Sequence, residues 1–269
     1  MINIEDINYR NIDGHSLLGR LYRPKISGPT NWVIDVHGGA WGSGDRLNNA
    51  VIHEHLARNG IGVFALDFRL SPDAQHPLPV EDISYGIRWF KANKQALGIQ
   101  VLTIGGLGTS SGAQQLGLIA LRPRDERWTT EDPALTNISA RIEFFVACWP
   151  VLDPLARYKM VLDVGNDKLT AAHDAYFRSK RDMEAGNPYL ILKRDEEEWT
   201  PPMMIIQGTS DANVNHEWQD RFADLYKTKG GRVEVHKFKA QPHTFVTSDP
   251  QNTASIAAVQ KITEFVLRV

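Results

Sequence analysis

Gly108-Thr109-Ser110-Ser111-Gly112 is the stretch on which the reading of this chain turns. Before it lies Val101-Leu102-Thr103-Ile104, short, apolar and β-branched, and after it residues 113–121 are rich in Ala, Leu and Gln. The pattern predicts a strand, a sharp turn and a helix. A serine at such a corner exposes its Oγ, and flanking glycines let the backbone bend that tightly. The following helix points its positive end at the serine, where it favours developing negative charge. Spacing selects which serine. Ser110 has Gly108 and Gly112 two residues to either side, whereas Ser111 would have Thr109 and Ala113, both carrying a Cβ. Ser110 is therefore the candidate nucleophile, and Ser111 supplies the next backbone N–H.

A serine hydroxyl needs a base to take its proton. Of the nine histidines, His243 stands in a loop after an apolar strand and before the last helical stretch, on the sheet edge where the Ser110 turn emerges. His236 falls inside a strand pattern, His53 and His55 inside a helical one, and His216 at a helix start. The third member is a carboxylate that orients the imidazole. Asp211 follows the apolar run Met203–Gln207 across a Gly-Thr-Ser turn, and completes the order Ser…Asp…His. Aspartate also caps helices and starts turns, a competing role for Asp211. Donors for an oxyanion are expected from Gly38 and Gly39 in His37-Gly38-Gly39-Ala40-Trp41, together with the N–H of Ser111. His37 is expected to brace that loop. Trp41 either walls the acyl pocket or packs.

The rest of the chain frames these parts. Apolar runs at 17–23, 32–37, 62–67, 101–105, 142–148, 203–207 and 233–238 alternate with helical periods at 48–59, 80–96, 111–121, 216–228 and 253–267. That alternation predicts a single α/β domain over 1–269 with a mostly parallel sheet. About 50 residues separate the strands at 148 and 203, far beyond an ordinary connection, and predict a lid over about 152–200, with a helix at 170–185. Tyr176 and Phe177 in this segment are candidates for the substrate pocket, with buried core as their alternative. Thirty Lys+Arg against thirty-two Asp+Glu give a net charge of −2, which speaks against nucleic acid as a partner. The single cysteine, Cys148, lies in an apolar run and reads as a small buried hydrophobe. The acidic start and the absence of a long apolar run argue against a membrane partner and for a cytoplasmic location. No His/Cys/Asp cluster has ligand spacing, so neither metal nor cofactor is expected.

Together these residues resemble the α/β-hydrolase superfamily, and within it the carboxylesterases and acetyl esterases related to hormone-sensitive lipase. In that family an H-G-G motif precedes the nucleophile elbow. Asp67-Phe68-Arg69-Leu70-Ser71-Pro72-Asp73, followed by Pro77-Leu78-Pro79-Val80-Glu81-Asp82, is similar to the family's D-Y-R-L-x-P-E…P…E-D stretch. Thr109, Ser111 and Ala113 stand where the family's elbow has Asp, Ala and Gly. The resemblance implies the α/β-hydrolase fold, a central sheet with helices on both faces and a lid insertion. It also implies hydrolysis of a small to medium acyl or aryl ester through an acyl-Ser110 intermediate, with short acyl chains preferred and homodimerisation left open. The segment before the first strand is short, so a large N-terminal cap is not expected. Two other functions fit the same residues: an amidase or arylformamidase, and a silent ligand-binding relative.

Overall fold

The computed structural model describes residues 2–130 and 132–269. Its centre is an eight-stranded sheet in the order β1-β2-β4-β3-β5-β6-β7-β8. The strands are β1 Asn3–Ile12, β2 His15–Arg23, β3 Thr30–Val36, β4 Gly62–Leu66, β5 Val101–Thr109, β6 Phe145–Cys148, β7 Met203–Gly208 and β8 Val233–Phe238. From β4 across to β8 all pairings are parallel, while β1 and β2 form an antiparallel edge. This is the α/β-hydrolase fold. Strand β1 is not among the strands expected from the sequence: most of its positions are partly or fully exposed, so it lacks the apolar alternation by which a strand is recognised.

The inner strands are apolar on both sides because both faces are covered. On one face Trp32, Ile34 and Val36 pack with Ile83, Ile87 and Phe90 of α2 (Leu78–Asn93), with Leu116 and Ile119 of α3 (Ser111–Leu121), and with Phe222 of α8 (Glu217–Thr228). On the other, Val33, Val63 and Ile206 pack with Ile52 and Leu56 of α1 (Ala50–Arg58) and with Ile262 and Val266 of α10 (Thr253–Arg268). Cys148 belongs to this second layer, and burial pushes its thiol pKa up, which leaves it an inert hydrophobe.

Between β6 and β7 the chain forms four helices, α4 Pro154–Asp163, α5 Asp167–Tyr176, α6 Lys180–Ala185 and α7 Pro188–Lys193. The helix expected over 170–185 is in fact α5 and α6, separated at Phe177, whose backbone is extended, and by the N-cap Ser179. Asp153, Asn166, Ser179 and Asn187 each accept a backbone N–H at a helix start, so side-chain caps set where these short helices begin. Their inner side packs against the body of the protein through Trp41, Val151, Tyr176, Phe177, Met183 and Val214.

Candidate active site

β5 ends at Thr109 and α3 starts at Ser111, so Ser110 alone makes the corner. Its φ of 50° and ψ of −118° are a costly conformation for a residue with a Cβ. Two close backbone approaches hold it. A Cβ on Gly108 would lie 2.6 Å from Cα of Ala113, and one on Gly112 would lie 2.2 Å from the carbonyl oxygens of Val36 and His37. Both positions therefore exclude every other residue, which fixes the register on Ser110. Its carbonyl accepts from Val151 N–H and its N–H donates to Cys148, pinning the corner to the neighbouring strand.

The loops after β7 and β8 bring the other two residues to this corner. Ser110 Oγ lies 2.9 Å from His243 Nε2, and His243 Nδ1 lies 2.7 Å from Asp211 Oδ2. Every oxygen of Asp211 is used. Oδ1 accepts the N–H groups of Asn213 and Val214 at 2.8 and 2.9 Å, and Oδ2 also accepts Gln207 Nε2 at 2.9 Å. Burial alone would raise the Asp211 carboxyl, but its hydrogen bonds, the one to His243 foremost, hold it below the ordinary carboxylate range. Gln219 fixes Gln207 in turn, donating to its Oε1 at 3.1 Å. The edge of Trp149 packs on the His243 ring, centroids 6.4 Å apart. Gln207, Gln219 and Trp149 stand in no motif and carry no signal in the sequence.

Gly38 and Gly39 form one wall beside Ser110, and a Cβ on Gly38 would lie 3.1 Å from that of Ser110. Gly39 has φ of 119°, and a Cβ there would strike the Ser43 carbonyl at 1.8 Å, so the tight loop requires glycine. The loop is tied to the elbow by Trp41 N–H, which donates to Ser111 Oγ at 3.2 Å. Ser111 is the first residue of α3, where N–H groups have no intrahelical acceptor. His37 stacks on Phe68 with centroids 4.3 Å apart, and its Nδ1 bonds the Gly38 carbonyl at 2.7 Å. Below the loop, the buried Asp35 carboxylate receives Asn49 Nδ2 at 3.1 and 3.2 Å and lies 3.0 Å from His53 Nε2. Asn49 also reaches Thr109 Oγ1 at 3.3 Å, so the threonine beside Ser110 is joined to this buried cluster.

These elements border an open cavity of about 330 Å³ lined by Gly38, Gly39, Ser110 and His243 and, from the helices between β6 and β7, by Arg157, Lys168 and Leu169. Trp41, Tyr176 and Phe177, expected as pocket residues, do not line it. Trp41 and Tyr176 stack with rings 5.0 Å apart and 7° from parallel, and Phe177 meets both edge-on. All three are almost fully buried. The reason is packing: the Trp41 indole N–H donates to Gln114 Oε1 at 2.8 Å, and its ring packs with Val151, Tyr176, Phe177 and Met183. Arg157, only 2 % exposed, is a residue that no sequence signal singled out. Burial draws its guanidinium down to about 10, against the pull of Asp211, and leaves it charged at neutral pH.

Known proteins resemble this chain in both sequence and fold. The family model BD-FAE matches residues 20–225. An ethyl acetate hydrolase from Pseudomonas putida is 30% identical over 121 residues, which are 44% of this chain and 38% of that protein. Esterase LipC from Mycobacterium tuberculosis is 29% identical over 240 residues, 85% of this chain and 56% of that one. The chain spans about half the length of the curated relatives it matches. Among solved structures, the Thermogutta terrifontis esterase Est2 with propionate bound superposes with a TM-score of 0.78 at 23% identity, covering 98% of this chain and 93% of that one. The likeness supports the fold. Among the described residues no helix is long and apolar enough to cross a membrane.

Proposed function

The chain belongs to the BD-FAE family of α/β-hydrolases, and from that premise we propose that it is a serine carboxylesterase for small to medium acyl or aryl esters. One observation carries the reading: the unbroken relay from Ser110 Oγ through His243 to Asp211 at 2.9 and 2.7 Å. His243 Nε2 takes the Ser110 proton as Oγ bonds to the ester carbonyl carbon. The carbonyl oxygen becomes an anion facing the N–H groups of Gly38, Gly39 and Ser111. The C–O bond to the alcohol then breaks, and the alkoxide leaves with the proton that His243 holds. Water repeats the sequence on the acyl-Ser110 ester and releases the acid. Asp211 holds the imidazole in the required tautomer and balances its charge. The helices over residues 152–200 act as a lid that closes one side of the site. The relatives named as an ethyl acetate hydrolase and an esterase point the same way.

Ser110→Ala is expected to lower kcat on p-nitrophenyl butyrate by about 10⁴-fold or more. A fluorophosphonate should add its phosphonyl group to Ser110, as located by fragmenting the tryptic peptide that carries both Ser110 and Ser111. An adduct on Ser111 would overturn the register, and faster cleavage of an N-formyl aryl amide than of any ester would replace the esterase reading. The size of the cavity leads us to expect activity to peak between acetate and butyrate and to decline by octanoate.

A further inference from the structure

The cavity around Ser110 is electrostatically one-sided. Arg157 and Lys168 line it, and no aspartate or glutamate does. Arg157 is buried, and its Nη1 is enclosed without a hydrogen-bond partner. A guanidinium out of water ordinarily has a carboxylate partner, because leaving one unpaired is costly. The nearby carboxylates are already engaged. Asp211 gives both oxygens to His243, Gln207 and the backbone of Asn213 and Val214. Asp153 accepts from Ala156 N–H, Asn187 and Arg221. Among the described residues the Arg157 side chain makes one hydrogen bond, from Nε to the Asn213 carbonyl at 3.3 Å, and its guanidinium carbon stands 5.5 Å from the centre of the Trp41 ring. Lys168, exposed on α5 at the rim, forms no ion pair among the described residues.

We propose that the substrate is an ester that carries a free carboxylate, bound by the Arg157 guanidinium inside the cavity and steered by Lys168 at its rim. The inference rests on the esterase reading and adds the charge of the substrate to it. A planar guanidinium matches a carboxylate through paired N–H donors, and where the guanidinium is itself buried such a contact discriminates against a neutral analogue. The cavity suits a short chain of this kind, the size of a dicarboxylic acid hemiester or of the acetyl ester of a small hydroxy acid. Hydrolysis of the first gives a dicarboxylic acid and an alcohol, and of the second acetate and a hydroxy acid.

The test compares matched esters. Monomethyl glutarate is set against methyl pentanoate for a carboxylate on the acyl side, and 4-acetoxybutanoate against butyl acetate for one on the alcohol side, all followed by pH-stat at pH 7.5. In at least one pair kcat/KM should favour the charged ester by about tenfold or more, the scale of one charge-assisted hydrogen bond. That ratio, rather than either absolute rate, should collapse in Arg157→Met, survive in part in Arg157→Lys, and fall by about two- to threefold in Lys168→Ala, as a partly screened charge would give. Equal or greater rates for the neutral ester in both pairs, or a ratio untouched by Arg157→Met, would overturn the inference and leave the esterase reading intact. Failure of the protein to cleave any ester would remove that reading instead. In that event calorimetric titration of Ser110→Ala protein decides the inference: it stands if monomethyl glutarate or 4-acetoxybutanoate binds at least tenfold more tightly than its neutral partner and loses this advantage in Ser110→Ala/Arg157→Met, and falls otherwise.

Discussion

The elbow at Ser110 and the aromatic layer under the helices of residues 152–200 are both tightly packed, yet they are built in opposite ways. At the elbow, backbone presses on backbone: the places where Gly108 and Gly112 would carry a Cβ are taken by Ala113 and by the carbonyls of Val36 and His37. Under the helices, side chain presses on side chain: Trp41 stacks on Tyr176, with Phe177 and His173 against its edges. Backbone crowding admits one residue type and so leaves a readable mark in the sequence. Side-chain packing can be met by many combinations of similar volume, and leaves none.

Three changes would sharpen or break this contrast. The largest effect is expected of Tyr176→Ala, which should cost about 3–5 kcal/mol of stability, as for other large buried aromatics, and be read as a lowered urea midpoint. The ratio of acetate to butyrate cleavage should hold, because Tyr176 is off the cavity wall; a changed ratio would return it to the pocket. Next, Gly112→Ala should reduce kcat by roughly 10²-fold, the penalty of displacing a reacting group by about 1 Å. The same change at Gly165, whose φ is 67° but which has no neighbour within 4 Å, should leave kcat alone and cost about 1 kcal/mol. Equal losses at the two glycines would mean that crowding does not hold the elbow.

The last effect concerns acid. Burial holds both His76 and His173 at about 3, against 6.5 in an unfolded chain. Between these values the unfolded state binds more protons. The stability that depends on neutral imidazoles is therefore complete above about pH 6.5 and is lost as pH falls toward 3, by up to about 1.4 kcal/mol per pH unit for each ring. Urea midpoints at pH 7, 6 and 5 should fall, and His173→Phe should fall less steeply. Parallel slopes would show that His173 is not buried as described.

Much of the site is legible in the sequence. Glycine spacing, loop position after a strand and order along the chain single out Ser110, Asp211 and His243, and the fold brings them within hydrogen-bond distance of one another. Gly38 and Gly39 are legible for the same reason as the elbow. Gln207, which shares Asp211 with His243, is not, since a buried glutamine on a strand has no pattern of its own. Strand β1 escapes because an edge strand with one face in water carries little apolar signal.

By itself, the sequence determined the alternation of strands and helices, the register of the elbow and the chain order of its partners. These depend on conformations set within a few residues: period, turn chemistry and the absence of a Cβ. Only the tertiary structure decided that Trp41, Tyr176 and Phe177 pack beneath the helices between β6 and β7, and that Arg157 lines the cavity beside Ser110. Both outcomes depend on which distant segments come to lie against one another. An aromatic ring or a guanidinium looks the same in a sequence whether its neighbours will be a core or a substrate.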